Sequence, residues 1–233
     1  MMLDYPKKYL EWLGFFIIFL VVSSGVVLSN QNFKYYNTFL MAKNGPVESL
    51  TSVAFIIGVV LGFYRSKILG PFRKSSFVLG LHSISCLYLI GFLDEINYGQ
   101  RLWQFLFDFE VPIFFKKYNI FGEMNFHYIQ VNILNRSFFI FDFFIYFVLF
   151  SYFGVFPLIY KRADKIKEII DFYAIPVARS YHFISLLFLL LLFFSIKGIQ
   201  SSDFLEFICV SLVLLVMFEP LNREVFSRKS FER

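Results

Sequence analysis

Residues 12–29 read W-L-G-F-F-I-I-F-L-V-V-S-S-G-V-V-L-S, without a charged side chain. About 20 such residues, wound as an α-helix, cover the ~30 Å of hydrocarbon in a bilayer. The run shows no strict apolar/polar alternation, so it suits a membrane helix rather than a barrel strand. Lys7 and Lys8 precede it, and Ser23, Ser24 and Gly25 are small enough for signal cleavage. Its apolar core is nevertheless longer than the 7–15 residues usual in a signal peptide, which favours a retained anchor.

Five further runs resemble it, near 47–64, 76–93, 137–160, 181–197 and 203–219. The reading is a single all-α domain over 1–233, a polytopic membrane bundle of about six transmembrane helices. Composition agrees. The 233 residues are 58% hydrophobic, 22% aromatic and only 17% charged, whereas a soluble domain carries about a quarter charged residues. A soluble enzyme, a disordered tail and a nucleic-acid binder are all disfavoured. Cys86 and Cys209 fall inside apolar runs and imply no disulfide framework.

Most of the 22 basic residues fall on one side if the N-terminus is cytoplasmic. Lys7 and Lys8, then Arg65, Lys67, Arg73 and Lys74, then Lys161, Arg162, Lys165, Lys167 and Arg179, then Arg223, Arg228, Lys229 and Arg233 all lie inside. The positive-inside rule thus puts both termini in the cytoplasm of a cytoplasmic (inner) membrane. The net charge of +5 needs no nucleic-acid partner. The basic 161–179 stretch has a second use as a contact for anionic lipid, though a topology signal accounts for it. Gly58 and Gly62, four apart, allow close helix approach, read here as packing inside the bundle rather than dimerisation.

The stretch 94–136, between the third and fourth runs, is long for so compact a chain, and such loops are usually functional. Residues 102–115, L-W-Q-F-L-F-D-F-E-V-P-I-F-F, interleave aromatics with Asp108 and Glu110. They suit an interfacial or re-entrant segment. On this topology Glu48, Asp94, Glu95, Asn97, Gln100, Arg101, Glu123, Asn125, His127, Asp142, Asp203 and Glu206 all lie at the outer face. An acidic boundary suits a cation or a cationic ligand.

Two motifs carry the chemistry. In D-E-I-N-Y-G-Q-R (94–101), a continuing helix puts Asp94, Asn97 and Arg101 on one face and Glu95 on another. In G-E-M-N-F-H (122–127), an extended chain projects Glu123, Asn125 and His127 from one side; a helix pairs Glu123 with His127 and turns Asn125 away. Either geometry keeps carboxylate and imidazole together, as a metal site or an acid/base pair requires. His82, near the cytoplasmic end of the third run, reads as a hydrogen-bonded bundle residue rather than a ligand, and His182 lies at the cytoplasmic end of the fifth.

With K-N-G-P-V-E at 43–48, these motifs resemble a pattern in uncharacterised bacterial and archaeal multi-pass membrane proteins. There a helix entry E-D/E-G-x-V/I-E is followed by G-E-E-I-S-W-G-Q-R and N-x-Q-G-E-x-N-x-H-N. The likeness covers about 43–128, through Gly45, Val47, Glu48, Glu95, Ile96, Gly99, Gln100, Arg101, Asn119, Gly122, Glu123, Asn125 and His127. Asp94, Asn97, Tyr98, Phe121 and Tyr128 depart from it. The resemblance implies functional weight for the matched residues but no reaction. A membrane metalloprotease of the CAAX-processing type fits poorly, because Glu95 stands too far from Arg101 and no histidine pair follows on later helices.

The leading expectation is a polar site at the outer membrane face that acts on a lipid or lipid-linked substrate. Its metal ligands would be Glu48, Glu95, Glu123 and His127, a hard set suited to Zn, Mn, Fe or Mg. Its catalytic residues would be Glu95, Arg101, Glu123 and His127. The competing expectation is a non-catalytic structural or interaction protein whose polar residues form a buried network. Transport ranks below both, since the first, second, fifth and sixth runs hold no ionisable residue near mid-membrane.

Overall fold

The computed structural model describes residues 7–42, 45–119, 122–126, 129–133, 136–197 and 202–227, with only the backbone described at 7–8, 101–102, 130–133, 136–144 and 202. The chain is helical apart from one short ribbon. Helices α1 (Lys7–Gln31), α2 (Pro46–Leu69) and α3 (Ser75–Glu95) cover the first three apolar runs. Segments Tyr9–Gln31, Pro46–Phe72 and Ser75–Glu95 are long and apolar enough to cross a membrane. Their outward side chains remain exposed and apolar, among them Trp12, Phe16, Val60, Tyr64, Leu79 and Leu87, the arrangement that lipid rather than water rewards.

Beyond α3 the chain forms two short helices, α4 (Gln100–Phe107) and α5 (Ile113–Tyr118), then strands β1 (Gln130–Ile133) and β2 (Arg136–Phe139). The strands pair antiparallel, with Ile133 opposite Arg136. Helix therefore begins at Ile140, a turn later than the apolar run suggests, because strand pairing takes Arg136–Phe139. Asp142 consequently lies in the first turn of α6 (Ile140–Leu149), not one and a half turns inside.

From α6 the helix continues through a π-helical turn, Phe150–Val155, into α7 (Phe156–Arg162). Pro157 at the start of α7 has no N–H to give to the turn before it, and the widened turn is where the ladder absorbs that loss. Then follow α8 (Asp164–Phe172), α9 (Ser180–Phe193) and α10 (Ser202–Phe218).

Helix α10 forms the axis of the bundle. Phe204, Leu205, Ile208, Leu212 and Val216 are fully buried, and Phe207, Leu215 and Met217 nearly so. A helix that is apolar all round is either interior or a membrane span, and α10 is enclosed by α1, α2, α6 and α9. Helices α2 and α3 form an antiparallel hairpin in closer register. A Cβ on Gly58 would strike the Tyr88 ring, and one on Gly62 the Ser85 hydroxyl. The glycine pair is thus consumed within the bundle. The Tyr88 hydroxyl reaches past it to donate to Val210 O of α10 at 3.4 Å.

Candidate polar site at the helix ends

The anticipated continuation of α3 through residue 101 does not occur. Asn97, Tyr98 and Gly99 take left-handed φ values of 51°, 51° and 70°, which end the helix and restart it at Gln100. Asn and Gly enter that region most readily, so the residues expected on one helical face instead make the break. Asp94, Asn97 and Arg101 do not form a helical stripe. The break turns Asp94, Asn97 and Gln100 toward the 119–126 segment.

Each of the three is used there. Phe126 N–H donates to Asp94 Oδ1 (2.9 Å) and Met124 N–H to Gln100 Oε1 (2.8 Å). Asn97 Nδ2 donates to Glu123 Oε2 (3.3 Å), while Asn125 Nδ2 donates to Asn97 Oδ1 (2.6 Å). Asn119 Nδ2 donates to Asn125 Oδ1 (2.6 Å) and O (3.0 Å), and its own Oδ1 accepts from Glu123 N–H (3.3 Å). Asn125 is 2% exposed and Asn119 5%, so the network lies inside and its polar atoms are satisfied by one another.

Residues 122–126 are not helical. Glu123 and Asn125 both reach Asn97, and Asn125 N–H turns back to Glu123 O at 2.9 Å. Gly122 at φ 65° makes the turn into the segment. Phe126 packs edge-on against Tyr98 and Phe115. Asp94 also accepts from the Tyr98 hydroxyl, and partial burial, followed by the charge and hydrogen bond of Asp94, moves that phenol up from its ordinary 10.0.

Glu95 is placed differently. It is 6% exposed, and the carboxylates of Glu206, Glu48, Asp203 and Asp94 lie within electrostatic range. Glu48 stands in the first turn of α2 and Asp203 in that of α10, where the helix dipole favours an acid. Glu206 follows one turn along and is 4% exposed. Asp94 and Glu95 sit at the opposite kind of end, the last two residues of α3, where the dipole opposes negative charge. Asp94 has backbone and phenol donors to offset this; Glu95 faces other acids. Beside them the Tyr36 hydroxyl is buried without a hydrogen-bond partner. Burial, and then the charge of Asp203, pushes it up from 10.0 to about 12.

The expected site is therefore divided among the described residues. Glu48 and Glu95 belong to the acidic group, and Glu123 to the amide network. His127 lies outside the described residues, and of Arg101 only the backbone, in α4, is described. No group of three or more His, Cys, Asp or Glu side chains among the described residues is arranged to hold a metal ion.

A second polar cluster, at the other end of the bundle, escapes any reading of the sequence. Glu11 of α1 is 5% exposed, accepts from the Tyr181 hydroxyl (2.6 Å), and has Oε1 3.0 Å from His182 Nε2. His182 Nδ1 accepts from Arg179 N–H (3.1 Å), and Arg179 bridges to Glu219 (2.9 Å) and Pro220 O. An acid within the first turns of an otherwise apolar helix is the signal that could have found Glu11; nothing local names its partners. His82 shares a 2.7 Å hydrogen bond with Ser66, the bundle role expected of it. No protein-family model, curated protein or solved structure matches the chain.

Proposed function

We propose that the chain is a multi-pass protein of the cytoplasmic membrane, with both termini in the cytoplasm and six crossings. The three membrane-length helices would be joined in the bilayer by α6–α7, α9 and α10. Support comes from the basic residues gathered at one end and the exposed apolar belt of the outer helices. The stretch from α4 to α5, with Trp103, Phe105, Phe107, Ile113 and Phe114 exposed, would lie in the outer interface.

At that face, the pocket around Glu95 would take a cation, either a divalent metal or the cationic part of a lipid or lipid-linked substrate, and serve as an acid/base site. One observation carries this reading: Glu95 is buried at an adverse helix end among acids from three helices. Burying ionised carboxylates together is costly unless a proton or a cation compensates. His127 and Arg101 enter the proposal as a further ligand and an anchor for an anionic head group. The test is metal analysis of purified protein beside Glu95→Gln and a Glu123→Ala, His127→Ala double variant. Bound Zn, Mn, Fe or Mg in the parent and its loss in Glu95→Gln supports the site; metal-free parent protein that also gains no stability from any of these ions removes the metal version.

The second reading is a non-catalytic protein in which the polar groups pin residues 119–126 to the end of α3. The closed set of hydrogen bonds from Asp94, Asn97 and Gln100 favours it. It requires Asn97→Ala to lower thermal stability as loss of a network member does and Glu95→Gln to leave it unchanged, whereas a binding site relieved of crowded charge is stabilised by Glu95→Gln.

A further inference from the structure

Helix α8, Asp164–Phe172, has two unlike sides. Ile170 is 2% exposed and packs with Tyr160 and Val177, while Asp171 accepts from the Tyr160 hydroxyl and from Asn222 Nδ2. Just beyond the helix, Tyr173 lies so close to Gly80 of α3 that a Cβ there would meet its carbonyl. These contacts fix the helix against the bundle and settle which way it faces. The opposite side carries Ile166, Ile169, Phe172 and Tyr173, between 39% and 55% exposed. At 100° per residue Phe172, Ile169 and Ile166 share one side, with the exposed Lys165 among them. Lys167 lies toward the bundle, its ammonium 5.8 Å from the centroid of the Tyr160 ring, and Glu168 and Asp164 follow round the helix from Phe172.

A helix with an outward apolar arc that follows the exposed bases Lys161 and Arg162 and carries Lys165 on the same side is shaped for a boundary between hydrocarbon and anionic head groups. Its position agrees. It follows the basic end of α7, Lys161 and Arg162, both exposed, and lies beside the start of α3, whose Lys74 ammonium sits over the Phe172 ring at 5.9 Å. The exposed apolar belt of the membrane-length helices is thus continuous with the arc.

We propose that α8 lies in the plane of the membrane, its Ile166–Ile169–Phe172 arc among acyl chains, and that Lys161, Arg162 and Lys165 select anionic phospholipid head groups. This rests on the membrane reading above, but not on any chemistry at the outer face. The three basic groups act on lipid phosphates at the depth to which the arc sinks, so removing charge makes the helix ride higher without unfolding the bundle.

The test uses full-length protein in lipid nanodiscs containing chain-brominated lipid, in a Trp12→Phe, Trp103→Phe background. A single tryptophan is placed by Ile169→Trp, and a reference by Val60→Trp on exposed α2. In phosphatidylcholine with about a third phosphatidylglycerol, the residue 169 probe is quenched at least about twofold more than in phosphatidylcholine alone, and Lys161→Gln with Lys165→Gln abolishes that increase. Quenching at residue 60 but not at 169, or quenching at 169 that ignores both lipid charge and the lysines, overturns the proposal while leaving the membrane reading intact. No quenching at residue 60 overturns both.

Discussion

Tyr36 separates a packed core from a site more sharply than any other residue. Its ring stacks on Phe204, yet its hydroxyl has no partner. A buried unsatisfied polar group costs ~1–3 kcal/mol, so Tyr36→Phe should stabilise the purified protein by about 1 kcal/mol. The advantage should grow at alkaline pH. The folded-state phenol is raised from 10.0 to about 12, so the stability carried by its neutral form is complete below pH 10 and is lost as pH rises through about 12. Thermal melts of both proteins across that window check the sign, and a Phe variant less stable at neutral pH would mean that the hydroxyl is in use. Glycine gives a second contrast. A Cβ at Gly62 meets the Ser85 hydroxyl and Leu81 O, whereas at Gly70 the nearest atom is Val78 Cγ2 at 3.4 Å. Gly62→Leu should therefore cost ~1–3 kcal/mol by overpacking, with Gly70→Ala close to neutral in the same melting assay.

The element that decides the outer site is the break after α3. Asn97 both donates to Glu123 and accepts from Asn125, so Asn97→Ala should release residues 119–126 from the helix end without disturbing α2 or α3. Amide exchange should rise about tenfold or more across 122–126, the signature of a local opening made easier by one or two hydrogen bonds at ~1 kcal/mol each. Unchanged exchange there would show that Asp94 and Gln100 suffice to hold the segment. Helices were the readable part of the sequence because an uncharged run has only one way to satisfy its backbone in lipid. The break was present in the letters as Asn-Tyr-Gly, but Tyr98 at φ 51° is not a residue that composition assigns to a left-handed turn. The alternation of 122–126 left extended and helical forms open, and the segment takes a bent, non-helical course instead, with Asn125 N–H turned back to Glu123 O; its partner Asn97 was within the neighbouring motif. The ribbon at Gln130–Phe139 was hidden by an apolar run that serves strand and helix equally. Glu11 and His182, 171 positions apart, meet only through packing of α1 on α9.

For the whole molecule, polarity is segregated by end. The amide network and the acidic group around Glu95 occupy one end of the bundle, the Glu11–His182–Arg179–Glu219 cluster the other, and α10 connects them with Glu206 near its first residue and Glu219 just past its last. Side chains between them on α10 are almost entirely apolar, so any link between the two clusters runs through rigid packing rather than a polar path. Under the proposed topology the basic loops stay with the Glu11 end, which would hold that end in the cytoplasm. That orientation is testable with a membrane-impermeant thiol reagent on intact cells. Glu110→Cys, at an exposed position between α4 and α5, should label without permeabilisation; Glu224→Cys, exposed beyond α10, should label only after it. The parent protein sets the background, since Cys86 faces the apolar belt and Cys209 is partly covered. Labelling of residue 224 from outside, with 110 protected, would invert the molecule and put the Glu95 pocket in the cytoplasm, where it would meet soluble substrates rather than the outer leaflet. Labelling of both from outside would require an even number of crossings between them. In that case one of α6–α7, α9 and α10 would fail to span, and α10, at 17 residues and wrapped by its neighbours, would be the first to re-examine.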